Sequence, residues 1–142
     1  MNRFKRYIYD TTMAICGHNL VNGIHWGLFK PDAIDDWKDY LVLTPFGVAE
    51  LVESSGMTTI ETHGIRFQVY TNSLATSGEY VESLFTGFYK HTVALGDNSY
   101  IIDARKVDDT VELVPERWVD GSEIWLGVLG MAFTVQRAVV QN

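Results

Sequence analysis

Residues 123–137 read Glu-Ile-Trp-Leu-Gly-Val-Leu-Gly-Met-Ala-Phe-Thr-Val-Gln-Arg. No proline interrupts them, and β-branched and aromatic residues dominate, which marks one long strand. Successive side chains of a strand point to opposite faces. Trp125, Leu129, Met131, Phe133 and Val135 therefore share one face. Ile124, Leu126, Val128, Gly130, Ala132 and Thr134 share the other, and both are largely apolar. A two-layer α+β domain has helices for one face of its sheet and nothing of its own for the second. A large bare apolar patch is rare on a monomer. Either another segment of the chain or another copy must cover the second face. Trp125, Leu129 and Met131 are accordingly candidate contacts with a second copy.

Upstream, Asp120-Gly121 is a turn, and Val111–Val114 is a short strand or an extended link ending at Pro115. Trp118 sits in this linking segment, and of the four tryptophans it is the one expected to touch a partner. Tyr100 begins a strand running to about Val107, where Asp108-Asp109 break it. Before it, Val81, Leu84, Phe85 and Phe88 follow the one-face rule of a helix. Thr76 and Glu79 have capping-box spacing for its start, and it should end near His91. Residues 57–71 alternate like a half-buried strand, with a possible bend at His63-Gly64. Residues 48–58 read equally well as a short helix or an irregular loop. Tyr40–Thr44 is a compact strand stopped by Pro45. Pro31–Asp39 is an acidic loop, Ile24–Phe29 a short strand, and residues 2–16 a helix with Gly17 at its left-handed cap. The order implies an α+β fold, a mainly antiparallel β-sheet with two principal helices packed on one face, as a single domain over 1–142.

The chain has 142 residues, 46% of them hydrophobic and 20% charged, as a foldable globule requires. Net charge is −7, which argues against a dedicated nucleic-acid binder. Residues 1–30 carry +3 and residues 31–142 carry −10, which reads either as a solvated surface with a random split or as a basis for head-to-tail attraction between copies. No apolar run is long enough for a membrane span. The basic start is not followed by a signal-peptide core. The single cysteine, Cys16, excludes an internal disulfide and reads as a buried thiol. His18, His25, His63 and His91 show no metal-ligand spacing, and the aspartates of 31–39 lack EF-hand spacing. No nucleophile elbow, P-loop or dinucleotide fingerprint occurs. Catalytic residues, cofactor and metal are therefore all expected to be none.

This order of elements resembles that of one family. Leu43-Thr44-Pro45-Phe46-Gly47 after an acidic loop, the Ile65–Val69 strand leading into the helix, and the long last strand resemble the tail terminator (tail completion, minor capsid-type) proteins of long-tailed bacteriophages. The resemblance spans about residues 1–137. It departs at Val48, where a second glycine is usual, and in the longer segment 48–63. It implies a virion structural protein, non-enzymatic, forming a ring, typically a hexamer, at the head-proximal end of the tail tube. Such a ring ends tube growth and joins tail to neck at the head–tail junction, after assembly in the host cytoplasm. Its partners would be itself, the tail-tube protein and a neck, adaptor or stopper protein. Genomic DNA passes the lumen without specific binding, helped by the acidic body, and no membrane is involved. A head-completion or stopper ring is the alternative within this class, and a small-ligand-binding regulatory domain the alternative outside it.

Overall fold

The computed structural model describes residues 3–20, 23–27, 39–54, 58–89, 92–96 and 98–138, with backbone alone at 48–54, 58 and 138. The elements are α1 (Arg3–Thr12), a π-helical turn (Met13–Gly17), β1 (Ile24–Trp26), β2 (Tyr40–Ser54), β3 (Thr58–Thr71), α2 (Leu74–Phe88), β4 (Val93–Gly96), β5 (Ser99–Arg117) and β6 (Glu123–Ala138). The strands form one six-stranded sheet in the order β1-β2-β3-β6-β5-β4. Among the described strands only the β1–β2 pair is parallel. This is the expected α+β class, a mainly antiparallel sheet with both helices on one face.

The core lies between that face and the helices. Phe4 and Ile8 of α1 and Val81, Leu84 and Phe88 of α2 meet Leu41, Leu43, Ile65, Phe67, Val69, Leu129, Met131, Phe133 and Val135 of the sheet. Two glycines set how close the helices come. A Cβ on Gly127 would stand 2.8 Å from Val81 Cγ2 and 2.9 Å from the Ser77 carbonyl, so its absence lets α2 lie on β6. The space where Gly87 lacks a side chain is filled by Ile15 from the π turn.

Several boundaries differ from the sequence reading. Helix α2 starts at a Ser73 cap, not in a Thr76–Glu79 box. Ser73 is extended (φ −144°, ψ 131°) and its hydroxyl accepts from the Thr76 N–H. It ends at Phe88, and His91 lies outside the described residues. Gly17 is not a left-handed cap. It closes a π turn, where a Cβ would collide with the Met13 sulfur, and His18 after it is right-handed (φ −67°, ψ −24°). Proline does not stop β2. The Leu41 N–H donates to the Gly23 carbonyl and the Gly27 N–H to the Leu43 carbonyl, so odd residues of β2 face β1. Pro45 lies beyond the last described β1–β2 pair, Trp26–Leu43, so no described ladder bond needs its missing N–H. The strand runs on to Ser54, so residues 48–54, read as helix or loop, are strand. The bend expected at His63-Gly64 falls instead on the facing strand, between Phe46 and Glu50. β1 is described over Ile24–Trp26; residues 28 and 29 of the expected strand, residues 31–38 of the acidic loop and Met57 lie outside the described residues.

The largest difference is β5. Asp108-Asp109 do not break it, and Val111–Val114 is part of the same 19-residue strand. Register shifts between Ile101 and Asp103, Lys106 and Asp108, and Val114 and Arg117 absorb the misfits. Asp108 folds over Gly130, while Asp109 pairs with Lys106 at 3.0 Å. The last of these shifts contains Pro115, as expected for a proline in a strand.

Candidate interaction surface

The residues proposed as contacts between copies separate in the structure. Leu129 and Met131 are 0% exposed. Both belong to the core under the helices, so neither offers surface to a second copy. The choice between the two apolar faces of β6 rests on α2, which packs where Gly127 leaves room. Trp118 is 2% exposed, which corrects its reading as a contact. The Trp118 N–H donates to the Ser122 carbonyl and the Gly121 N–H to the Trp118 carbonyl. This tight turn folds the indole back against Tyr40, Val42 and Ile124 on the far face of the sheet. Tyr40 stacks on Tyr70 there at 4.6 Å.

Trp125 alone of the four keeps accessible surface, being half-buried. A hydrogen-bonded chain positions it. Thr71 Oγ1 and Ser77 Oγ are 2.7 Å apart, and Ser77 donates to the Trp125 carbonyl at 2.8 Å. Leu113, directly across the ladder on β5, is 48% exposed. Sequence reasoning missed Leu113, because Asp108-Asp109 read as a break and Val111–Val114 as a short strand or extended link, not as part of one long strand whose outward positions count.

The far face has no second layer among the described residues. Tyr40, Val42, Trp118 and Ile124 close one end of it. Arg66 lies over the Phe46 ring at 4.8 Å, and Asp108 covers Gly130. Between these two covers, Leu126 and Val128 remain half open. Facing residues in a ladder share a face. Asp103, Arg105, Asp108 and Glu112 are opposite Thr134, Ala132, Gly130 and Leu126, so the β5 margin of this face carries more acid than base.

The sheet also has an open edge. β4 pairs with β5 only at Ser99, Tyr100 and Ile101. Beyond Ile101 no described strand pairs with the outer side of β5. Register shifts and alternating charges there are the usual guards against unwanted strand pairing. Beside this edge, a groove of about 430 Å³ runs between α2 and β5 over Val81, Phe85 and Val111. Lys106 lies 4.9 Å above the Phe85 ring.

The two ends of β5 differ in charge and shape. At the β5–β6 turn Val119 stands 63% exposed, among Glu116, Asp120 and Glu123 with Arg117. The Arg117 guanidinium donates to the Gly121 carbonyl at 3.1 Å, and Ser122 donates twice to Asp120, so the tip is internally braced. At the other end, a hollow of about 410 Å³ opens between α1 and β4, lined by Arg3, Arg6, Tyr7, Asp10, Ala94 and Leu95.

Among the described residues no three His, Cys, Asp or Glu side chains gather as a metal site would need. No described helix is long and apolar enough to cross a membrane. Cys16 is buried, and burial pushes its thiol pKa up to about 12, which makes it a poor nucleophile. His63 bonds Glu61 at 2.9 Å and packs on Phe4.

No family model matches the chain. No curated protein sequence matches it. Among solved structures, a chain in one titled "Virion of native gene transfer agent (GTA) particle" superposes with a TM-score of 0.56. The match covers 90% of this chain and 91% of that one, at 12% identity. At that identity the likeness is one of fold.

Proposed function

We propose, from the fold shared with a chain of a phage-like virion particle and the sequence resemblance to tail terminators, that this is a non-enzymatic virion structural protein. In this reading its copies form a ring, six-membered by the resemblance, at the head-proximal end of a phage-type tail tube. The ring ends tube growth and joins tail to neck. The observation that carries the proposal is the far face of the sheet, where Leu126 and Val128 lie half open with no layer of the chain's own described residues above them. Neighbouring copies are the natural cover, because each then buries apolar area at about 25 cal/mol per Å². DNA would pass the pore, and acidic residues facing it would keep the duplex from sticking by like-charge repulsion.

The test is the assembly state of the purified full chain, by sedimentation and electron microscopy. Rings with a central pore are expected. Val128→Lys should abolish them while the variant still unfolds cooperatively as a folded monomer, since its side chain is half open in the single chain. A chain that stays monomeric at the highest attainable concentration refutes the ring. So does a Val128→Lys variant that assembles as well as the parent.

A further inference from the structure

We propose that copies of this chain join head to tail by seating the β5–β6 turn of one in the hollow between α1 and β4 of the next. The contact is separate from the far-face contact over Leu126 and Val128, and rests on the ring reading only for closure. The knob is built to protrude. Trp118 is buried at its base, Val119 points outward, and the hydrogen bonds of Arg117, Asp120 and Ser122 hold the tip in shape without a partner. A pre-formed tip loses little conformational freedom when it docks. The hollow is opposite in charge to the knob and partly apolar. Tyr7 and Leu95 provide apolar wall for Val119, and two guanidiniums against Asp10 make its rim basic. The knob has three carboxylates against Arg117.

Knob and hollow lie at opposite ends of the same strand, since β5 leaves β4 at Ser99 and reaches the turn at Arg117. They therefore cannot meet within one copy. A strand of this length spans roughly 60 Å at about 3.3 Å per residue. The contact between two copies is heterologous, and such contacts close into rings or run on as filaments. The uneven charge of the chain, +3 in residues 1–30 and −10 after them, thus becomes a polarity that orders subunits.

The test is a charge exchange on the full chain, read as molecular mass against concentration. Glu116→Arg with Glu123→Arg reverses the knob, and Arg3→Glu with Arg6→Glu reverses the hollow. Each pair is expected to weaken association at least about tenfold, and added salt should weaken the parent. Mixing the two variants should restore association, because each then supplies the surface the other lacks. Val119→Asp should act like the knob reversal. All of these side chains are exposed, so thermal unfolding close to the parent's is the check on folding. Association unchanged in both reversals overturns the contact, as does loss without restoration on mixing, or a parent that is always monomeric. Closed rings indifferent to the reversals overturn this contact and leave the ring reading standing. Charge-dependent open chains uphold the contact and overturn the ring. Binding of the knob only to a different basic protein, with no self-association, also overturns it.

Discussion

Truncating Leu129 separates core from interface on the last strand. Leu129→Ala deletes three carbons from a side chain with 0% exposure. At about 0.8 kcal/mol per buried methylene the transfer loss is about 2.4 kcal/mol. The pocket between Phe67, Leu84 and Met131 is lined from two layers and cannot fully collapse, so a cavity penalty brings the total to about 3–4 kcal/mol. An unfolding entropy of roughly 2.1 cal/mol/K per residue gives about 0.3 kcal/mol/K for the chain. The melting temperature should therefore fall by about 10–13 °C. Urea unfolding should show an earlier midpoint with an unchanged slope. Val128→Ala, the adjacent residue on the opposite face, should cost under about 1 kcal/mol in the single chain. It should weaken self-association instead. A Leu129→Ala variant that melts within about 3 °C of the parent, while failing to assemble, would refute the assignment of this face to the core. The refutation would also restore Leu129 and Met131 as contacts between copies.

Two further expectations follow from the same packing. Gly127→Ala should lose about 1–3 kcal/mol, because its Cβ meets the Ser77 carbonyl and the side chains of Val81 and Val69, while Gly78→Ala, with open space around it, should gain about 0.4–1 kcal/mol; thermal melts of the pair check the contrast. Stability should also fall as the pH is raised from about 9 towards 12. Burial lifts the Cys16 thiol from 9.0 to about 12 and also raises the Tyr40 and Tyr70 phenols, so the unfolded chain releases these protons first. The stabilisation is complete below the unfolded-state values and is lost as pH passes through this window. Cys16→Ala should flatten the decline in urea midpoints measured across it, and an unchanged profile would remove the thiol from the explanation.

Much of the fold was legible because its signals are local. The i, i+3, i+4, i+7 spacing of Val81, Leu84, Phe85 and Phe88 is a property of one helix, whatever it packs on. The alternation of Ile65, Phe67 and Val69 likewise marks the buried side of β3. Where local signs misled, a non-local partner had changed their meaning. Pro45 looked like a stop, and is tolerated because it lies beyond the described β1–β2 pairs. Asp108-Asp109 looked like a break, and are held in the ladder by Gly130 and by Lys106. Trp118 looked like a contact in a linking segment, and is folded home by a turn closed at Ser122.

From its residues alone the chain determined that its last strand is greasy on both sides, that its two helices cover one of those sides, and that its charge is lopsided. Only the tertiary structure decided which side the helices take, which strand edge stays open, and that the acidic turn and the basic hollow lie at opposite ends of β5. Periodicity is written along the chain, where each residue's neighbours are fixed by covalent bonds. Exposure is not, because it depends on which distant backbone comes to lie alongside, and here that was set by where glycines left room.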